Sequence, residues 1–464
     1  MSTHQRSRGA FGGSRPTNAL LGIVVAVTLG AVFFSAFMVI IDGTAPWQES
    51  PRRRVAYFAD WNTANRDYTI NDVDDSGAAA DLTHLMWAFG DVSENGRCHI
   101  PPPSEASQAW QIYQRRYDAA NSVDGRADEY TQPLAGSLNQ LRKLKSKHPH
   151  LRTSISLGGW NWSTHFSTAA RTEESRRAFV SSCVDLWLRG DLPRTDAEPQ
   201  GGDGVAAGIF DGIDLDWEWP GGGGRADNIT SPDDKRNFTL LVEEFRRQLD
   251  ELENETDRKY ELTVSVSHEE QVMRDSYEPQ IFDIADFVTV QGYDFTGAWS
   301  DVTSPHSQLY APEDAPSGPP SKSVHQTVRR YLEYGLPAHK LVVGFPGFGR
   351  GWAGVDPQGF GRYASAEGGA EGGYGDTTDA YVVLDREQEG HRFLDPVNGS
   401  YWIYDGDEWW SYDTPRIVRM KGRYVVENNL GGLMMWNLDM DPQAQLVAAM
   451  ADSLRPKEEE QQGD

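Results

Sequence analysis

The stretch FDGIDLDWEWP, from Phe210 to Pro220, places four carboxylates inside an apolar and aromatic run. Because side chains alternate along a β-strand, a strand here puts Asp214, Asp216 and Glu218 on one face and bulky apolar residues on the other. Burying carboxylates is costly unless they are paired, protonated or hydrogen-bonded. The stretch is therefore expected at the mouth of a cavity rather than in an ordinary core.

Two other interpretations of this stretch are open. A run of charges often forms only a solvated edge, although the interleaved Trp, Ile and Leu residues disfavour that here. Paired Asp and Glu oxygens also suit calcium or magnesium. The ligand spacing of an EF-hand is missing nearby, so a metal site is no more favoured than the solvated edge.

Strand-like and helix-like segments alternate over residues 54–454, and this order predicts a (β/α)8 TIM barrel. An open doubly wound sheet is the alternative, but the turn after the first strand, Ala59 to Asn62, has no Gly-rich phosphate loop. The predicted strands are Val55–Trp61, Leu82–Val92, Thr153–Gly159, the acidic stretch, Glu261–Ser267, Phe287–Phe295, Leu341–Phe348 and Gly432–Asn437. The predicted helices lie at about 130–147, 171–188, 232–252, 323–334 and 442–454.

The N-terminal region contains a long apolar segment that is separate from the predicted barrel. Residues 1–19 are polar, and residues 20–41 hold no charge over a length that can cross a bilayer. This run exceeds the typical apolar region of a signal peptide, so an uncleaved signal anchor is favoured over a cleaved signal. Residues 42–53 are expected to be a linker, and 455–464 a solvated acidic tail. The large domain is thus predicted to be membrane-anchored and extracellular, or secreted.

The composition limits the classes of molecule that the protein is expected to bind. The net charge of −26 opposes binding to nucleic acid, because phosphates would be repelled. A neutral polymer remains an easy substrate, and a monomer is expected. Cys98 and Cys183 are the two cysteines, so the chain is no disulfide scaffold. Cys183 is expected to be a buried small apolar residue of a helix rather than part of a bridge.

The acidic stretch resembles the D-x-x-D-x-D-x-E signature of family 18 glycoside hydrolases, the chitinases. Further segments resemble the family along residues 54–454, including an extra tract at 352–412 that is similar to the family's small α+β insertion between strands seven and eight. Two positions depart from the pattern, because Gln291 stands where Met is usual and Phe348 where Tyr is common. The matching segments are Ser156-Leu157-Gly158-Gly159, Tyr293-Asp294, Gly344-Phe345-Pro346, Gly349-Arg350-Gly351-Trp352 and Met435-Trp436-Asn437.

The resemblance implies substrate-assisted hydrolysis, without metal or cofactor. Glu218 would protonate the departing glycosidic oxygen while the acetamido carbonyl of bound N-acetylglucosamine attacks its own anomeric carbon. Asp216 and Asp214 would form a coupled set with Glu218, and Tyr293 would donate its hydroxyl to the acetamido carbonyl. Asp211 is out of phase with the row and is expected to give structural support beneath the site.

Chitin or N-acetylglucosamine oligosaccharides are the expected ligands. Sugars expose apolar C–H faces, so aromatic side chains at strand ends are candidates for the cleft. His268-Glu269 departs from the small residues expected after strand five, which leaves the shape of the cleft open. The candidate substrate-binding residues are Tyr57, Trp160, Asp294, Trp299, Arg350, Trp352, Trp436, Gly158 and Gly159, with Ser156 and Asp211 as structural support.

Three rival functions remain at this point. An endo-β-N-acetylglucosaminidase acting on glycans would use the same constellation. A non-catalytic chitin-binding lectin is disfavoured by the presence of Glu218. A metal-dependent hydrolase would lose activity in EDTA, whereas the substrate-assisted scheme predicts no effect of the chelator.

Overall fold

The computed structural model describes residues 52–100, 109–194, 197–313, 315–318, 321–375 and 377–455. The predicted anchor at 20–41, the polar segment before it, almost all of the linker and the acidic tail lie outside these ranges. Within the described ranges, no helix is both long enough and apolar enough to span a bilayer. The membrane anchor therefore stays a prediction.

Eight parallel strands form a closed barrel, as predicted. In chain order we label them β1 to β8, and each is hydrogen-bonded to the next, with β8 pairing back to β1. All eight predicted strands are present, with ends that differ by a few residues. Their bounds are Arg53–Ala59, His84–Val92, Arg152–Gly158, Gly212–Asp216, Glu261–Val266, Phe287–Val290, Leu341–Pro346 and Gly432–Trp436.

Helices surround the barrel because its strands are apolar on the outer face. In β4, for example, Ile213 and Leu215 are fully buried and belong to one continuous core with Phe238 and Leu241 of a neighbouring helix. The longer helices are Gly136–Lys147, Glu173–Cys183, Asp234–Thr256, Val324–Glu333, Pro415–Glu427 and Gln445–Leu454. Shorter ones are Asn62–Asn65, Ile70–Asp75, Ala78–Asp81, Trp110–Gln114, Gly159–Trp162, Phe166–Ala170, Val184–Arg189, Glu270–Ser276, Gln280–Ile284, Ala338–Lys340, Tyr381–Arg386 and Leu438–Met440.

The helix Pro415–Glu427 has no counterpart among the predicted segments. Thr414 caps it by accepting a hydrogen bond from the Ile417 amide, and a proline occupies its first position. It buries Ile417, Val418 and Val425 against the barrel. The residues that mark the start of this helix, Thr414 and the proline after it, were therefore visible in the sequence immediately after the extra tract.

A second, antiparallel sheet follows β7 and forms a small subdomain. It begins at Phe348, four residues before the start expected for the insertion, and its strands are Phe348–Ala353, Gly368–Gly369, Thr378–Ala380, His391–Asp395, Ser400–Tyr404 and Trp409–Tyr412. Trp352 is 1% exposed and packs edge-on against Trp409. The expectation that Trp352 faces the cleft is therefore wrong, because it belongs to the core of this subdomain.

Two local expectations differ from the structure. Within the extra tract, the segment AYVVL at 380–384 has the β-branched residues typical of a strand, but it contributes mainly to the helix Tyr381–Arg386, since Tyr381 and Leu384 are buried three residues apart. Cys98 and Cys183 form a disulfide, with Cα atoms 4.9 Å apart. The expectation of an unbridged Cys183 is wrong, because the short strand after β2 packs on the helix Glu173–Cys183, a contact across 85 residues of chain.

Candidate active site

Asp214 lies at the centre of the barrel and is completely buried. Its Oδ2 accepts hydrogen bonds from the Ser156 hydroxyl at 2.7 Å and the Tyr57 hydroxyl at 2.9 Å, and its Oδ1 accepts one from the Thr263 hydroxyl at 2.6 Å. Burial raises the pKa of Asp214, and the three donors oppose that rise. Ser156 of β3 and Thr263 of β5 thus hold this carboxyl from the two neighbouring strands, and Tyr57 reaches it from β1.

Asp216 ends β4 and is 5% exposed. Its Oδ1 has no hydrogen-bond partner within the described structure. Burial and the nearby charge of Asp214 raise the pKa of Asp216 to about 8, although a hydrogen bond with Ser265 opposes them. This carboxyl therefore binds a proton more tightly than an ordinary aspartate, and its Oδ1 is left without a hydrogen bond.

Glu218 lies just beyond the strand, in a backbone segment fixed on both sides. Its amide donates to the Ser163 hydroxyl at 2.9 Å, and its carbonyl accepts from the Asn228 side chain at 2.8 Å. Burial, followed by the charges of Asp216 and Asp294, raises the pKa of Glu218 well above its usual range, while a hydrogen bond with Gln291 lowers it. This is the environment of a carboxylic acid that remains protonated at neutral pH.

Asp294 shares the cavity but has cationic and polar partners. Arg350 donates from Nε to Oδ1 at 2.8 Å and from Nη2 to Oδ2 at 2.9 Å, and the buried His306 lies 3.6 Å away through Nδ1. Burial raises the pKa of Asp294, but Arg350 and His306 outweigh it and hold the pKa below its ordinary value. Tyr293, next to it, keeps its hydroxyl proton, because burial raises its pKa.

Asp216, Glu218, Tyr293 and Asp294 line one cavity of about 1090 Å³ at the carboxyl ends of the strands. Trp160 and Trp299 also line it and are 50% and 61% exposed, so their rings are available to a ligand. Trp436 is partly buried and stacks on Phe89 with ring centres 5.6 Å apart. Other lining residues include Tyr57, Trp61, Trp219, Gln291, Arg350 and Tyr374.

Trp61 and Phe89 were not among the candidates. Trp61 ends the first predicted strand, so its position could have placed it at the mouth of the barrel, whereas Phe89 lies inside the second predicted strand, Leu82–Val92. They stack on each other with centres 5.9 Å apart. Tyr374 comes from the subdomain, and nothing in its local sequence indicates that it reaches the cavity.

Gly158 and Gly159 do not line the cavity. Both have positive φ angles, of +106° and +68°, and a Cβ on either would clash with its surroundings. At Gly158 it would lie 2.5 Å from the Asp216 carbonyl oxygen, and at Gly159 it would lie 2.4 Å from the Phe89 ring. The structure therefore shows that both glycines permit close packing of the strand ends, and their role toward a sugar stays a prediction.

Asp211 precedes β4 and so lies at the opposite end of that strand from Glu218. It forms ion pairs with Lys145 at 2.5 Å and Arg258 at 3.1 Å, and accepts the Thr153 amide at 2.9 Å. These three contacts join the base of the strand to neighbouring segments.

The residues after β5 add charge to the cavity wall. His268 and Glu269 both line it, and Glu269 forms ion pairs with Lys322 and with His268 Nε2, the latter at 3.2 Å. Among the described residues, no group of three or more His, Cys, Asp or Glu side chains is arranged to hold a metal ion.

Comparison with known proteins agrees with this geometry. The family model for glycosyl hydrolases family 18 matches residues 53–441. The chain belongs to glycosyl hydrolase family 18. Among solved family 18 structures, the catalytic domain of psychrophilic chitinase B from Arthrobacter TAD20 is 40% identical, with a TM-score of 0.81 over 87% of this chain and 95% of that one.

Curated relatives in family 18 are longer. Chitinase A1 of Niallia circulans is 31% identical over 83% of this chain and 56% of its own length. Chitinase C of Streptomyces lividans is 32% identical over 84% of this chain and 57% of its own length. The chain thus spans less than two thirds of these relatives.

Proposed function

We propose that this chain is a chitinase that hydrolyses β-1,4 linkages between N-acetylglucosamine units with retention of configuration. The observation that carries the proposal is the buried row of Asp214, Asp216 and Glu218, of which Asp216 and Glu218 line an aromatic cavity. The other described carboxyls lining that cavity, Asp294 and Glu269, are ion-paired with Arg350 and Lys322. A protonated acid thus faces the substrate without a free carboxylate nucleophile, so the substrate must supply one.

The first step transfers the Glu218 proton to the glycosidic oxygen. As the bond from that oxygen to the anomeric carbon breaks, the acetamido carbonyl oxygen of the same sugar bonds to that carbon, giving an oxazolinium ion. The unused Oδ1 of Asp216 suits a hydrogen bond with the acetamido N–H. The Tyr293 hydroxyl is a donor for the acetamido oxygen, where it would stabilise developing charge and hold the group in its attacking position.

The second step reverses the proton movement. Glu218, now ionised, takes a proton from water as that water bonds to the anomeric carbon and the bond to the acetamido oxygen breaks. Two displacements at the same carbon retain its configuration. Asp214, fixed by three donors, serves as the anchor of the row and keeps Asp216 close to a like charge.

Aromatic surfaces account for binding. Trp436 and the Phe89 ring stacked on it form the floor of the cavity, and Trp160 and Trp299 form exposed walls. Such rings suit the apolar faces of pyranose sugars. The relatives named as chitinases support this substrate.

The test is hydrolysis of N-acetylglucosamine hexamer by the full chain, with the products identified by mass spectrometry. The Glu218→Gln variant serves as the inactive control. We expect shorter oligomers of retained configuration, no effect of EDTA, and no cleavage where glucosamine occupies the reacting position. Binding without cleavage would favour the lectin. Cleavage of a glycan core with the hexamer left intact would favour the endo-β-N-acetylglucosaminidase, and loss of activity in EDTA would favour a metal-dependent hydrolase.

A further inference from the structure

Phe360 is an unusual surface residue of the subdomain. Its side chain is 61% exposed, and its backbone has a φ of +55°, between Gly359 at +59° and Gly361 at +72°. A left-handed conformation is costly for a bulky aromatic residue, and exposure forgoes most of the gain from burying the ring. Folding alone therefore favours a small or polar residue at this position.

The ring is supported from beneath by an aromatic column. Phe360 contacts Phe393 with ring centres 4.9 Å apart, Phe393 stacks on Trp402 at 5.3 Å, and Trp402 stacks on Trp409 at 6.3 Å. Arg362 lies over the Trp402 ring and forms an ion pair with Asp395 at 3.3 Å. One side of the Phe360 ring is thus held in place while much of its surface faces solvent.

The loop that carries Phe360 is attached to the segment that carries Trp299. The Thr303 hydroxyl donates to the Gly361 carbonyl, the Tyr363 amide donates to the Thr303 carbonyl at 3.2 Å, and Val302 forms a β-bridge with Ser365. Trp299 lines the cavity, whereas Phe360 is outside its lining. Two equally exposed aromatic rings therefore stand on adjoining loops, one inside the cavity and one beyond it.

We propose that Phe360 is a polysaccharide contact outside the catalytic cavity, where it stacks on a pyranose ring of a chain that also passes Trp299. A neutral sugar polymer suits this surface because the protein's charge of −26 does not repel it. Its pyranose rings present apolar C–H faces to an aromatic ring. This inference rests on the proposed function for the identity of the polymer.

The informative variant is Phe360→Asn. Asn tolerates the left-handed conformation, so the substitution removes the ring while the backbone of the loop can keep its conformation. Phe360→Tyr retains the ring, and Tyr130→Asn removes an aromatic side chain of similar exposure, 60%, from another surface. Thermal unfolding of each variant checks that the fold is intact.

Two substrates separate the surface contact from catalysis. For Phe360→Asn we expect binding to insoluble chitin, and turnover of it, to fall about threefold to tenfold, in line with the loss of one aromatic contact. The rate at which Phe360→Asn hydrolyses N-acetylglucosamine trimer should equal that of the parent protein. The variants Phe360→Tyr and Tyr130→Asn should behave like the parent protein on both substrates.

Unchanged binding and turnover of insoluble chitin by Phe360→Asn would overturn the inference. An equal loss on the trimer, accompanied by a lower Tm, would also overturn it, because the ring would then serve only the fold. If the parent protein binds chitin but cleaves neither substrate, the proposed function fails, while weaker binding by Phe360→Asn would still support the contact. If it does not bind insoluble chitin at all, the surface contact is overturned, and hydrolysis of the soluble oligomers decides the proposed function separately.

Discussion

Glu218 and Asp294 lie in the same cavity but have opposite electrostatic surroundings. Glu218 has a carboxyl neighbour and no described cationic partner, so burial and Asp216 raise its pKa. Asp294 is clamped by the guanidinium of Arg350 and approached by His306, which outweigh burial and keep its pKa low. The comparison teaches that the neighbours, rather than depth alone, decide which acid can carry a proton and which remains a fixed anion.

The largest expected effect comes from removing the proton carrier. Glu218→Gln keeps the size of the side chain but cannot donate a proton, so kcat on oligosaccharides should fall about 10³-fold, within the range for general acid–base catalysis. Binding of the oligosaccharide should persist. Asp294→Asn is the matched control, and a loss as large as that of Glu218→Gln would contradict the division between the two acids.

Removing the cation that fixes Asp294 should give the next effect. Arg350→Gln leaves a carboxylate without its ion pair, so its pKa should rise, and the free energy of unfolding should fall by about 3 kcal/mol. The double variant Arg350→Gln/Asp294→Asn should regain much of that loss, because the uncompensated charge is gone. Chemical denaturation at pH 7 measures both, and additive losses in the double variant would show that the two residues are not coupled.

The sequence predicted the row of acidic residues on β4 more fully than the side chains that contact them. Alternation along one strand places Asp214, Asp216 and Glu218 locally, and the barrel order brings Tyr293 to the same face of the molecule. The contact of Tyr57 with Asp214 spans 157 residues, and the pairing of Asp294 with Arg350 spans 56. Such partners depend on how separate strand ends meet, which no local pattern encodes.

Features of the inserted sheet were the least predictable. Trp352 was expected in the cleft because it follows a strand of the barrel, but the subdomain builds its core around that ring. Tyr374 reaches the cavity from a Gly-rich loop that has no pattern of its own. The disulfide of Cys98 and Cys183 likewise depends on a tertiary contact that the sequence separation conceals.

Asp216→Asn should stabilise the fold at neutral pH while lowering activity. The folded-state pKa of Asp216 is raised to about 8 from an ordinary value near 3.8, so the unfolded chain releases this proton at lower pH than the folded one. The resulting destabilisation is absent below about pH 4 and grows as pH rises toward 8. We expect the variant to gain about 2 kcal/mol at pH 7 and none at pH 3.5, as measured by denaturant unfolding. A gain of equal size at both pH values would point to packing instead.

Gln291→Met should produce the smallest change, in the pH profile. Gln291 hydrogen-bonds to Glu218 and lowers its pKa, opposing burial and Asp216. Loss of that bond should raise the pKa further, and since the protonated acid is the active form in the first step, the alkaline limb of kcat should move about 0.5 to 1 pH unit higher. Gln291→Glu adds a negative charge beside the acid and should move it in the same direction. An unmoved limb in both variants would mean that Gln291 does not tune Glu218, and the contrast with Asp294 would then rest on burial and like charge alone.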